Sequence, residues 1–372
     1  MRKKKVMKTF QLLLIALALA ACSIEVSDVA PAITSPIPTQ SIQFPTSAPL
    51  AATESPTAAP TPLPWASFNL SGSLIYTQGT AGINKLNLDT GNISSLLTPP
   101  ANAWLTSATL SPDGKTIALA YSPPPSEGQA QLGYTGLYRM PADGNAATDP
   151  EPWIERADPQ ESYFSPAWSP DGKYVYFAHF IPVRSTSGNT FKYAVERVAY
   201  PGGKPEVVVE DAIWPRLTPD GTKLAYLSFD TESFVNDLYL ANTDGTDAAP
   251  VMPPGTFPSV DAHFFSPDGQ TIIFSAIGAG PSPALIWLDR LMGVQVAGAH
   301  NVPSDWWSIT LGSDKPVRLT QLYDTGLYGD FSPDGQYVAF LGASGIHLMK
   351  PDGRDLTPLI PIEALGTLEW VP

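Results

Sequence analysis

The chain of 372 residues contains a single cysteine, Cys22, and only four histidines. One cysteine excludes a disulfide within the chain and a multi-cysteine metal site. The sequence also lacks metal-binding His spacing, a Gly-x-Ser-x-Gly elbow and a glycine-rich phosphate loop. These absences argue against thiol chemistry, common hydrolases and nucleotide-binding enzymes. From the sequence we therefore assign no catalytic residue, no cofactor and no metal ion. The histidines are His179, His263, His300 and His347.

Positive charge is also scarce, with 21 Lys and Arg against 35 Asp and Glu, a net charge of −14. Five of the basic residues lie within residues 1–21, so the rest of the chain has 16 basic and 35 acidic residues, net −19. This balance argues against nucleic acid and anionic lipid headgroups as partners. It is compatible with a basic protein partner, with Ca²⁺, or with solubility alone.

One turn motif, Ser-Pro-Asp-Gly or Thr-Pro-Asp-Gly after a large apolar residue, is abundant. It recurs five times, and successive turn aspartates lie 58, 49, 48 and 66 positions apart. A short apolar strand pattern follows each copy. Such a repeat indicates a stacked array or a propeller. The five copies are Leu110–Gly114, Trp168–Gly172, Leu217–Gly221, Phe265–Gly269 and Phe331–Gly335.

The motif chemistry predicts a hairpin turn. Ser or Thr opens the turn, Pro presets the backbone, Asp accepts local hydrogen bonds and Gly supplies a permissive last position. The strand pattern after the last copy, Tyr337–Leu341, is continuously apolar, as in sheets covered on both faces. The aspartates could instead bind calcium or act in catalysis. We favour turn stabilisation because the same residue recurs in every unit.

Further strand patterns complete each unit. In one unit, for example, a third strand pattern, Asp237–Ala241, runs into a second turn at Asp244-Gly245. With a short outer strand after that turn, each unit has four strands, which is the blade of a propeller. The unit Ser73–Thr98 lacks its first strand, whereas Leu368–Val371 has the pattern of a first strand with nothing after it. Pairing the two would close the ring. We therefore predict an all-β, six-bladed propeller of four-stranded antiparallel blades, closed by the C-terminal strand.

The order of motifs, an aromatic or aliphatic residue, Ser-Pro-Asp-Gly and then an apolar strand, resembles the TolB-like β-propeller repeat family over Ala101–Ile360. The resemblance implies an exported propeller that serves in protein–protein assembly at the cell envelope. This chain departs from TolB in having no room for the α/β domain that precedes the propeller there. A role in that particular assembly is therefore not implied.

The N-terminal segment predicts export. A basic start and the apolar stretch Phe10–Leu19 form a signal peptide, residues 1–21. Leu19-Ala-Ala-Cys22 resembles the lipobox of bacterial lipoproteins, which implies lipidation of Cys22; an ordinary signal or an N-terminal anchor is the alternative. Residues 22–64 are rich in Ser, Thr and Pro and predict a disordered tether before the propeller, residues 65–372. We expect a monomeric envelope lipoprotein that touches the membrane only through its lipid, on the outer face of the cytoplasmic membrane or in the outer membrane.

Three long connections between second and third strands are expected on one face of the propeller. They are Ser122–Thr135, Ile181–Thr190 and Ile277–Trp306, the last containing a possible short helix or lid at Ala284–Val294. Loops on a rigid scaffold are where binding sites tend to lie. Tolerated insertions are the alternative interpretation.

The candidate ligand-binding residues precede or open the inner strands of consecutive units, at the mouth of the central channel. Arg216 is the strongest candidate because its guanidinium can hold a carboxylate or phosphate bidentately. An ion pair with Asp330 or Glu369 is its alternative role. The set is Trp214, Arg216, Asp261, His263, Tyr328 and Asp330.

Three functional hypotheses follow. The first is a lipid-anchored binding or scaffold propeller whose ligand is a protein, peptide or glycan. The second is a propeller enzyme of the lyase, glycosidase or cyclase type, which requires two channel carboxyls, one with a raised pKa. The third is a structural surface protein without a small ligand.

Overall fold

The computed structural model describes residues 63–127, 133–146, 148–185, 188–230, 235–277, 303–362 and 366–372. The signal peptide, Cys22 and nearly all of the tether lie outside this range. Within it, twenty-four strands form six four-stranded antiparallel sheets, each one blade of a β-propeller. Helix is limited in the described residues to two short 3₁₀ turns, Ala66–Phe68 and Gly79–Ala81. No helix in this part of the chain has the length and apolar character needed to cross a bilayer.

The strands follow the chain from the inside of each blade outwards, except in blade 1. Blade 1 contains β24 (Leu368–Val371), β1 (Ser73–Thr77), β2 (Ile83–Asn87) and β3 (Ile93–Leu97). Blades 2 and 3 contain β4 (Trp104–Leu110), β5 (Thr116–Ser122), β6 (Gly136–Pro141), β7 (Glu151–Ile154), β8 (Ser162–Trp168), β9 (Tyr174–Ser185), β10 (Gly188–Ala199) and β11 (Glu206–Glu210). Blades 4 and 5 contain β12 (Ala212–Leu217), β13 (Lys223–Phe229), β14 (Asn236–Asn242), β15 (Ala249–Pro250), β16 (Val260–Phe265), β17 (Thr271–Ala276), β18 (Asp305–Thr310) and β19 (Val317–Arg318). Blade 6 contains β20 (Tyr328–Phe331), β21 (Val338–Gly342), β22 (Gly345–Met349) and β23 (Thr357–Ile360).

The repeated motif forms the same turn in all five copies. The Ser or Thr hydroxyl donates to the Asp carboxylate at 2.5–2.7 Å, and the Gly N–H donates to the Ser or Thr carbonyl at 2.8 Å. The hydroxyl bond is the largest cause of a lowered pKa for four of the turn aspartates; for Asp171, Lys173 is the largest cause and the pKa falls to about 2. The five glycines have φ between 68° and 72°, where a side chain would be strained. The aspartates therefore have the turn-stabilising role that the sequence favours.

The predicted ring closure is confirmed. Strand β24 pairs antiparallel with β1, and Leu74 lies opposite Trp370 in the register. The indole of Trp370 is 6% exposed and donates to the Ser71 carbonyl at 3.0 Å. Thr367, just before β24, exchanges hydrogen bonds with Ala108 of blade 2 at 2.9 and 3.0 Å. The closing strand thus joins the blade on either side as well as completing its own.

The inner strands of blades 2 to 5 each contain a register shift, which the sequence analysis did not predict. In blades 3 and 4 the shift includes a proline after a residue with positive φ, Ser165-Pro166 and Trp214-Pro215. A β-bulge re-aims the side chains that follow it. The bulge in β12 immediately precedes Arg216 and so sets where its side chain points.

Two of the predicted long loops differ from the expectation. The segment Ile181–Thr190 is mostly strand, because β9 and β10 continue to Ser185 and from Gly188 as one long hairpin. The third connection ends earlier than predicted, since Trp306 lies within β18 and is fully buried. The possible helix at Ala284–Val294 lies outside the described residues.

Candidate functional site

Arg216 is the central side chain of the candidate site. It lies near the end of β12, the first strand of blade 4, and its side chain is half-buried. Its guanidinium carbon lies 5.1 Å from the ring centroid of Tyr328, which comes from blade 6, two blades away. Its hydrogen bond to the Pro215 carbonyl is long, at 3.4 Å. Among the described residues no carboxylate lies within 4 Å of it. Asp330 and Glu369, the ion-pair partners of its alternative role, are near enough to favour its charged form, but within the described residues neither reaches 4 Å.

The two carboxylates of the channel are bound to backbone instead. The Asp330 carboxylate accepts two backbone hydrogen bonds at 2.9 Å, one from the N–H of Trp370 in the closing strand and one from the N–H of the next residue, Phe331. Glu369 accepts the N–H of Leu110 in blade 2 at 2.8 Å. Blades 6, 1 and 2 are thus joined through two acidic side chains around the channel.

Burial changes the proton affinity of these groups. Desolvation raises the pKa of Asp330 to about 7, helped by the nearby Glu369 and opposed by the backbone donors and Arg216. Desolvation also raises the pKa of Glu369, against the hydrogen bonds from Thr109 and Leu110. The pKa of Arg216 is lowered by burial, although both carboxylates favour its charged form. Guanidinium groups remain charged in proteins, so the channel holds a permanent cation.

A further polar side chain near Arg216 is His263, from β16 of blade 5. It is 3% exposed, and its ring nitrogens make no hydrogen bond of good geometry, although the backbone of Asp261 and Ala225 lies nearby. Burial, and secondly the positive charge of Arg216, lower its pKa to about 3. The imidazole is therefore neutral at physiological pH and can donate one hydrogen bond and accept another. We call Arg216, His263, Tyr328, Asp330 and Glu369 the channel cluster.

The predicted site residues all lie within the inner strands β12, β16 and β20. Four of the six belong to the channel cluster: Arg216, His263, Tyr328 and Asp330. Trp214 does not, because its positive φ turns it into an apolar cluster shared with blades 3 and 5. Asp261 is buried at the bulge of β16, with its backbone beside the His263 ring.

A second polar group lies on blade 3, where the sequence predicted none. The Nδ1 atom of His179 lies 2.9 Å from the Glu196 carboxylate, and its Nε2 atom lies 3.8 Å from that of Glu161. The Tyr163 ring packs on the imidazole with centroids 4.4 Å apart. The residues are far apart in sequence and meet only through the pairing of β8, β9 and β10. No local signal could have found them.

The chemistry available to the channel cluster is recognition of a negatively charged group. A guanidinium on the face of a tyrosine keeps several donors for a ligand. Asp330 and Glu369 nearby disfavour a dianion, so a carboxylate fits better than a phosphate. Among the described residues no three His, Cys, Asp or Glu side chains are placed to hold a metal ion.

Comparison with solved structures identifies the fold. TolB from Acinetobacter baumannii aligns with a TM-score of 0.53 at 17% identity, covering 80% of this chain and 65% of that one. A chain of a nidogen/laminin complex aligns with a TM-score of 0.54 at 12% identity, over 80% of this chain and 98% of that one. The fold is a TolB-like β-propeller.

The chain spans about two thirds of the Acinetobacter TolB that it matches. A putative TolB from Agrobacterium tumefaciens is also similar, with a TM-score of 0.48 at 18% identity, over 81% of this chain and 99% of that one. No protein-family model and no curated protein matches the sequence. Identities this low show the TolB-like fold and leave the function to the residues of this chain.

Proposed function

We propose that this protein is an envelope-exposed, lipid-anchored propeller that binds a protein, peptide or glycan ligand through its central channel. The observation that supports this most directly is Arg216, a channel cation with no carboxylate within 4 Å in the described residues. A cation kept only for stability would be expected to have a close partner, because burying a charge is costly. The group that completes its hydrogen bonds is the ligand's carboxylate.

The surroundings of Arg216 agree with a binding role. Side chains from blades 5, 6 and 1 surround it, and the carboxylates of Asp330 and Glu369 already accept hydrogen bonds from backbone N–H groups. Their engagement holds the ring rigid around the cation, which lowers the entropic cost of binding. Residues 22–372 have a net charge of −19, so cations such as Arg216 that could contact a carboxylate are scarce.

The test is affinity capture from the native envelope, with the propeller and its Arg216→Ala variant as baits. Arg354→Ala is the matched control, since Arg354 is an exposed arginine bonded to Asp352 in the turn between β22 and β23 of blade 6. We expect capture to fall with Arg216→Ala and to persist with Arg354→Ala, at unchanged melting temperature for both. Lost stability with intact capture would assign Arg216 a structural role and contradict the proposal.

A propeller enzyme is the second candidate, favoured by one observation. Two carboxyl groups in the channel, those of Asp330 and Glu369, both have raised pKa values, as a general acid requires. Their hydrogen bonds to backbone N–H groups favour the structural role described above. Cleavage of an oligosaccharide library that is abolished by Glu369→Gln would support the enzyme instead.

A further inference from the structure

Three ionisable groups of the channel cluster come from three different blades. Arg216 lies on β12, Asp330 on β20 and Glu369 on β24. Burial is the largest influence on the pKa of each group, and the charges of the other members act in addition. Both carboxylates favour the charged form of the guanidinium, and the guanidinium favours the ionised form of both carboxyls. The protonation of one group therefore depends on the charges of the others.

Asp330 is the member of this group whose charge changes close to neutral pH. Burial raises the pKa of its carboxyl to about 7, helped by Glu369 and opposed by its backbone donors and Arg216. The two donors, the N–H groups of Trp370 and Phe331, lie 2.9 Å from its oxygens and hold the carboxyl at the closing strand. While Glu369 is ionised, the three groups together have a net charge of −1, and protonation of Asp330 brings this to zero.

The remaining titratable side chains on the strands beside Asp330 are Asp261 and His263 on β16, and Tyr328 on β20 itself. Strand β21, which pairs with β20, carries none. Burial lowers the pKa of His263 to about 3, so the imidazole stays neutral over the range in which Asp330 titrates. The permanent charge that acts on Asp330 is that of Arg216, the proposed contact of the ligand.

We infer that the binding of a ligand carboxylate at Arg216 is coupled to the uptake of one proton from solvent by the carboxylate of Asp330. The inference rests on the proposed function, because it concerns the same ligand group, and it adds a dependence of binding on pH. A negative charge at Arg216 repels the ionised Asp330 and offsets the attraction that the guanidinium exerts on it. Both effects favour the protonated acid. Like charges about 10 Å apart in a protein change each other's equilibrium constants by about tenfold.

The direction of the pH dependence follows from linkage. The bound carboxylate raises the pKa of Asp330 above its value of about 7 in the free protein. Affinity is therefore highest below about pH 7, where Asp330 is protonated before and after binding. It falls as the pH rises above 7 and levels off once Asp330 is ionised in the bound state too. Glu369 acts in the same direction, since burial also raises the pKa of its carboxyl and Arg216 also attracts it.

The probe is ¹³C-labelled acetate, a monocarboxylate that is ionised throughout the range, with binding measured by NMR line broadening at pH 6 and pH 9 and constant ionic strength. We expect the wild type to bind acetate about tenfold more weakly at pH 9. Asp330→Asn removes the titrating group, so its affinity should be the same at both pH values. Asp334→Asn is the matched control, since it removes a carboxylate of the turn after β20 whose pKa is lowered by the Ser332 hydroxyl. It should keep the tenfold difference.

Selective ¹³C labelling of the aspartate carboxyls gives a second measurement that needs no substitution. Saturating acetate should move the midpoint of the aspartate that titrates near pH 7 to higher pH. Equal affinity at pH 6 and pH 9 with an unmoved midpoint would overturn the coupling and leave the proposed function standing. Failure of the wild type to bind acetate at either pH, or undiminished binding by Arg216→Ala, would contradict the proposed function and the coupling with it.

Discussion

Truncation of Trp370 tests the closure of the ring. The indole is 6% exposed, packs in the apolar cluster shared by blades 5, 6 and 1, and donates to the Ser71 carbonyl at 3.0 Å. Replacing a buried tryptophan by alanine costs about 3–5 kcal/mol, as lost burial and a cavity. For a domain of this size, each kcal/mol lowers the melting temperature by roughly 2–4 °C. We therefore expect Trp370→Ala to melt about 6–20 °C below the wild type.

The assay is thermal unfolding by calorimetry and circular dichroism, with Trp104→Ala as the matched control. Trp104 is 37% exposed at the start of β4, so its truncation should shift the melting temperature by less than about 2 °C. Deleting residues 367–372 should destabilise more than Trp370→Ala, because it also removes the ladder with β1 and the bonds to Ala108 and Leu110. A deletion variant that melts within a degree or two of the wild type would refute the closure.

Two further predictions concern the channel and the anchor. The pKa of Asp330 is raised to about 7, so its contribution to stability is present below about pH 4 and is lost as the pH rises through 7. The wild type should therefore lose stability between pH 4 and 8 relative to Asp330→Asn, measured as urea midpoints, and a pH-independent difference would contradict this. Cys22→Ser should leave the protein uncleaved or released, because a lipoprotein cysteine carries the acyl chains that anchor it. Unchanged partitioning into the detergent phase would make the apolar stretch Phe10–Leu19 the anchor instead.

The blades could be predicted from the sequence because their information is local. Each turn depends on a Ser or Thr, an Asp and a Gly within five residues, and the structure shows one hydrogen-bond pattern at all five copies. The predicted strands agree with the observed ones to within a few residues in most cases, as at Ile93–Leu97 and Gly345–Met349. The closing strand was also predictable, because an unpaired first strand at one end matched a missing one at the other.

The prolines at 166 and 215 are a sequence signal that could have revealed the bulges. A proline inside an apolar strand pattern is tolerated at a bulge or an edge. The bulge in β12 turns Trp214 into the core and places Arg216 in the channel. Regular alternation would place both side chains on the same face of the strand, because the two residues are two positions apart, so it could not have predicted their different environments.

The sequence by itself determined the repeat, the four-stranded unit and the number of blades, since turn chemistry and apolar periodicity act over a few residues. Only the tertiary structure decided the partners of the channel residues. Arg216 packs on Tyr328 from two blades away, and Asp330 holds the N–H of Trp370 forty positions along the chain. Such contacts depend on how six twisted sheets close around one axis, and on burial that shifts the pKa of groups with ordinary sequence neighbours. No pattern within a single blade contains that information.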